Sequence, residues 1–157
     1  MRVGGTGHRF LHAETARIVE RALHERLARL PGDVLIGISS LADGADQLFA
    51  EAILALGGSL EVVLPAARYR AALPAESLPA YDRLLARASS VECLDYEDST
   101  SEAHMAVGRA VVHRSDVLLA VWDGHPARGV GGTGDVVAYA RERGVPVEVV
   151  WPRGAQR

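Results

Sequence analysis

The stretch DVLLAVWDGHPARGVGGTGDVVAYA, residues 116–140, decides how this chain is read. DVLLAVW is almost wholly apolar, as a strand buried on both faces must be. GDVVAYARER, residues 134–143, reads as a helix ending at Gly144. Between them Gly129, Gly131 and Gly134 satisfy G-x-G-x-x-G, with a strand before and a helix after. A dinucleotide site needs a ribose-binding acid about 20 residues further on. That position falls at Gly154–Arg157, which contains no acid. The glycines are therefore read as a phosphate- or ribose-binding turn at a helix N-terminus, built from Gly131, Gly132, Thr133 and Gly134. Asp135 falls in the first turn of that helix. It can orient a sugar, act as a base or attack an anomeric carbon. It can equally be an acid favoured by the helix dipole.

The same alternation continues on either side. MRV is a very short first strand and residues 13–30 a helix carrying Ala16, Val19, Leu23, Leu27 and Leu30 on one stripe. VLIGIS, LEVVLP, SVECLD and VPVEVVW read as further strands. ADQLFAEAILAL, AYDRLLARAS and SEAHMAVGRAVVHRS read as helices, the last capped by Ser101. Strand–helix alternation predicts an α/β class, a Rossmann-like open sheet, mainly parallel, with helices on both faces. A length of 157 residues suits one domain over 1–157.

In such sheets ligands bind outside the carboxyl ends of the strands. After the first strand come Gly5, Thr6, Gly7, His8 and Arg9; glycine lets backbone N–H groups approach an anion, and Arg9 suits a phosphate or carboxylate. After the second come Ser39 and Ser40, as phosphate donors or caps, then Gly44 and Asp46. Asp46 is either a ribose acceptor or a first-turn acid. Asp123 follows DVLLAVW and is a further ribose candidate. Tyr69 and Tyr81 are candidates for base stacking. Cys93 is read as a small buried hydrophobe and the two tryptophans as packing residues.

The totals exclude several classes. The formal net charge is −3, which argues against a nucleic-acid partner. The single cysteine forbids an internal disulfide, and no zinc-like spacing or other metal site is evident. The chain has no lysine, so a Walker lysine, a Schiff base and a pyridoxal-phosphate anchor are all missing. No cofactor is expected. The absence of a signal peptide or membrane-length apolar run makes a cytoplasmic location the expectation.

GTGHR after the first strand, SSLADGAD after the second and SDVLLAVWDG…GGTGDVVAYA together resemble the SLOG superfamily of Rossmann-like nucleotide-binding domains. That superfamily includes the Lonely Guy phosphoribohydrolases and the DNA-processing Smf proteins. The resemblance implies a phosphate-binding loop and a nucleotide or sugar-phosphate ligand. Thr133 matches the threonine of the Lonely Guy P-G-G-x-G-T-x-E-E motif, and Asp135 falls at its first glutamate. Val136 stands in place of the second acid. Val107 and Gly108 stand where those enzymes carry an arginine–lysine pair, with Arg109 nearby. Two readings follow: a module that binds a nucleotide-derived ligand, or a hydrolase that cleaves the base from a nucleoside monophosphate with Asp135 as its crevice acid. A single-strand DNA binder like the Smf proteins would need a basic patch. A homodimer through helix faces is a further expectation from the superfamily.

Overall fold

The computed structural model describes residues 1–157. Six strands, β1 (Arg2–Gly7), β2 (Ile36–Ser39), β3 (Ser59–Leu64), β4 (Ser90–Cys93), β5 (Val117–Val121) and β6 (Val147–Val149), form one sheet in the order β4-β3-β2-β1-β5-β6. Every pairing is parallel. The longer helices are α1 (Ala13–Ala28), α2 (Ala45–Ala55), α4 (Leu78–Ala86), α5 (Ser101–His113) and α6 (Thr133–Glu142). A single helical turn, α3 (Tyr69–Ala72), precedes α4. The chain runs from β1 outward through β2, β3 and β4, then crosses back to place β5 on the other side of β1. This reversal opens a crevice at the carboxyl ends of β1 and β5.

Both faces of the sheet are covered. On one face Val19, Leu23 and Leu27 of α1 and Phe49 and Ile53 of α2 meet Val3, Val117, Leu119 and Val121. On the other, Met105, Val107 and Val111 of α5 and Val136 and Ala140 of α6 meet Ile38, Val63 and Leu118. The alternation along β5 sends successive side chains to opposite cores, so its continuous apolar run is required. The apolar stripe of α1 is taken up by this core.

Four local expectations give way. First, β1 continues through Gly7, so Gly4, Gly5 and Gly7 belong to the strand. Gly5 and Gly7 lie there because neighbours occupy the space of a side chain. A Cβ on Gly5 would lie 2.4 Å from the Phe49 ring, and one on Gly7 would lie 2.5 Å from Ala45 Cβ. Second, Thr100 caps α5 by accepting the Ala103 N–H at 3.1 Å, displacing Ser101. Third, Cys93 is exposed, because β4 is the edge strand and all four of its residues face solvent. Fourth, Tyr69 and Tyr81 are buried against each other in a third cluster with Leu60, Val62 and Leu84, and neither is free to stack on a ligand.

Candidate functional site

The crevice at the switch point has a volume of about 270 Å3. Three chain segments meet there: the end of β1 with the loop into α1, the loop from β2 into α2, and the loop from β5 into α6. Of the residues singled out above, Gly5, Thr6, Gly7, His8, Arg9, Ser40, Asp46, Gly131, Gly132 and Thr133 line it. Val107, Gly108 and Val111 of α5 supply its apolar wall. The two positions where the Lonely Guy enzymes carry a cationic pair thus do face the crevice, but without charge.

The remaining candidates stand apart. Ser39 is buried; its hydroxyl accepts the Leu41 N–H at 3.1 Å and so braces the β2–α2 loop. Gly44 has φ +85°, and a Cβ there would strike His8 O at 2.7 Å. Its glycine lets the two loops touch. Gly134 packs against Ala127 and His125, where a Cβ would lie 2.9 Å from the Ala127 nitrogen. Asp135 does not line the crevice. Its Oδ2 accepts the Gly131 N–H at 3.1 Å, and the residue borders a separate surface hollow with Arg109 and Glu142. This is the placement of an acid that closes a helix N-terminus.

Asp123 also stands behind the crevice. It accepts the His125 N–H at 3.0 Å, and burial that would raise its pKa is outweighed by His125 and His8, which hold it down to about 2. Its backbone N–H donates to Nε2 of His8 at 3.0 Å. The same Nε2 lies 3.2 Å from Oδ1 of Asp123. Burial and the charge of Arg157 lower the His8 pKa, against the opposing pull of Asp123.

Asp46 has the most unusual environment. It is 7% exposed. Its Oδ2 accepts the Ser40 hydroxyl at 2.8 Å and the Ala42 N–H at 3.3 Å. Burial raises its pKa to about 6 in spite of those donors and the nearby Arg9. The hydroxyl of Tyr69 is buried beside this group without a hydrogen-bond partner. Arg9 is aimed by Asp43, which accepts Nε at 2.8 Å and lies 2.7 Å from Nη2.

Three lining residues are not among the ligand candidates named above. His104 on α5 bonds through Nε2 to the Ser99 hydroxyl at 2.7 Å, and burial lowers its pKa. Arg157 approaches from the far end of the chain, 3.8 Å from Asp123. Phe10 follows Arg9 and stands at the crevice with 68% of its surface exposed.

No family model and no curated protein sequence matches the chain. Solved structures do match over nearly its whole length. DNA processing protein A from Streptococcus pneumoniae superposes with a TM-score of 0.67 at 19% identity, over 94% of this chain and 49% of that one. DNA processing protein A from Helicobacter pylori superposes with a TM-score of 0.70 at 16% identity, over 99% and 68%. The fold is the SLOG-type Rossmannoid fold. A third structure with this SLOG-type fold, the molybdenum cofactor binding protein of Rippkaea orientalis, has a TM-score of 0.59 at 15% identity, over 94% and 74%. This chain spans about half the length of the pneumococcal protein.

These neighbours overturn one expectation. A net charge of −3 argues against a nucleic-acid partner, yet the Helicobacter pylori protein has a single-stranded DNA binding mode. Net charge sums the whole surface and is blind to where the cations gather. Arg9 and Arg157 line the crevice, and the charge of Arg128 reaches His8. As for membranes, no helix is long and apolar enough to cross one.

Proposed function

We propose that the switch-point crevice binds a nucleotide unit, with its phosphate against the N-terminus of α6 and its sugar against the β2–α2 loop. The observation that carries this reading is the meeting in one crevice of groups that favour an anion and groups that accept hydroxyls. On α6, Gly132 opens the helix with no side chain of its own and Asp135 engages only the Gly131 N–H, so the Thr133 N–H lacks an intrahelical partner. With the Thr133 hydroxyl, and with Arg9 and Arg157 in the same crevice, it favours an anion. On the β2–α2 loop Asp46 and Ser40 form a buried acceptor–hydroxyl pair suited to sugar hydroxyls.

Thermal unfolding in the presence of AMP, UMP, dAMP, ADP-ribose, ribose 5-phosphate or a short single-stranded oligonucleotide tests the reading. A ligand at 100 times its Kd adds about 2.7 kcal/mol, a rise of several degrees for a chain of this size. Repeating the oligonucleotide titration at 50 and 200 mM salt separates a polymer from its monomer. A polymer contacting many phosphates weakens steeply with salt, and a single phosphate does not. No rise with any of these probes contradicts the proposal.

Hydrolysis by Asp135 is not part of this reading, because its carboxylate is engaged by Gly131 and lies outside the crevice. Asp135→Asn is expected to leave AMP affinity unchanged. It should lower stability by about 0.3–1 kcal/mol through the lost charge at the helix terminus. A tenfold loss of affinity, or release of free base by the wild type that Asp135→Asn abolishes, would return this residue to the site.

A further inference from the structure

Phe10 is the most exposed large apolar side chain of the protein, and its backbone is held at φ +56°. That left-handed region is costly for a bulky residue. Its only other non-glycine occupant is Leu41, which is fully buried in the core. Packing explains Leu41. It does not explain Phe10, whose ring stands at the crevice instead of in the core. Asp43, itself buried, contacts the segment from outside the loop: it accepts the Phe10 N–H at 3.3 Å through Oδ2 while Oδ1 accepts Arg9 Nε at 2.8 Å. One carboxylate thus fixes both residues. The Arg9 guanidinium carbon lies 5.2 Å from the centre of the Phe10 ring, within cation–π range.

We infer that Phe10, held open by Asp43 and braced by Arg9, is the platform on which an unsaturated base of the ligand stacks. The inference rests on the nucleotide reading above and narrows it, because a sugar phosphate alone would gain nothing from this ring. Three features favour a nucleobase as the occupant. The ring is aromatic and planar, it lines the same crevice as Thr133 and Asp46, and it is exposed beside a cation. Stacking on such a ring tolerates any base, since every base has a π-face. The platform therefore contributes affinity for nucleotides as a class, and discrimination among bases must come from elsewhere.

The test is a set of titrations of wild type, Phe10→Ala and Phe10→Tyr with AMP, UMP and ribose 5-phosphate. The exposed side chain can be truncated without opening a cavity, and the Asp43 clamp acts on the backbone N–H, so both variants keep the fold. Wild type should bind AMP and UMP more tightly than ribose 5-phosphate. Phe10→Ala should lose about tenfold for AMP and UMP, within the range measured for stacked bases, and nothing for ribose 5-phosphate. Phe10→Tyr should retain wild-type affinity. Ring protons of bound adenine should move upfield in wild type and not in Phe10→Ala. Equal affinity of wild type and Phe10→Ala for AMP, or an equal loss for ribose 5-phosphate, overturns the stacking role and leaves the nucleotide reading intact. Failure of wild type to bind any of the three overturns both.

Discussion

Gly7→Ala is expected to cost about 3 kcal/mol of stability, at the upper end of the range for overpacking a close-packed interior. The added Cβ would lie 2.5 Å from Ala45 Cβ, 2.7 Å from Val121 Cβ and 2.9 Å from Val121 O. None of these can swing away. Ala45 opens α2, Val121 ends β5 opposite Gly7 in the register, and one contact is backbone. Relief requires α2 to back away from the sheet, which would also withdraw Asp46 from the crevice. Gly129→Ala supplies the contrast, since its Cβ would meet nothing within 4 Å; it should change stability by less than about 0.5 kcal/mol. Urea midpoints of the two variants decide the matter. A loss below about 1 kcal/mol for Gly7→Ala would mean that β1 and α2 are not so tightly apposed.

Asp46→Asn is expected to stabilise the protein at neutral pH while weakening its ligand. The folded-state pKa of Asp46 is raised to about 6 from 3.8, chiefly by burial. Between those values the native state holds a proton that the unfolded state has released, so stability falls as pH rises. The contribution of this group is greatest below pH 4 and lost once pH passes about 6. A difference of this size corresponds to about 3 kcal/mol. The amide introduced by Asp46→Asn would keep an acceptor for Ser40 and Ala42 without a charge to desolvate. At about pH 8 the variant should therefore be more stable by up to about 3 kcal/mol, and at about pH 4 the difference should close. If Asp46 receives sugar hydroxyls, loss of a charged acceptor should weaken AMP by about 10- to 100-fold. An advantage that does not shrink toward low pH would contradict the assigned titration. Unchanged AMP affinity would remove Asp46 from the sugar end.

The sheet and its helices were legible because burial on two faces leaves a coarse mark. The apolar run of β5 and the 3.6-residue stripe of α1 could belong to little else. The start of the chain was harder. Gly4-Gly5-Thr6-Gly7 has poor strand propensity and reads as a loop, yet it forms the central strand because Phe49 and Ala45 fill the spaces its missing side chains leave. The same holds around the site. Glycines that suggested a phosphate cradle are required first by the protein's own packing: Gly131, at φ +86°, would place a Cβ 2.9 Å from Ser101 O. Sequence spacing put Asp135 at the turn correctly, but not which way its carboxylate faces, since capping the helix competes with facing the ligand. Arg157 and His104 had no local signal because they reach the crevice from distant parts of the chain. Tyr69 was hidden by the single turn of α3, too short to show periodicity.

The claim that the switch-point crevice holds a nucleotide is tested most directly by following backbone amide resonances during titration with AMP. Shifts should concentrate at Thr6–Phe10, Ser40–Asp46 and Gly131–Gly134, the three segments that converge there. Thr133 should move most, as a donor to the phosphate. Absence of shifts at millimolar AMP, or shifts confined to another surface such as the hollow beside His113 and Arg143, would contradict the assignment.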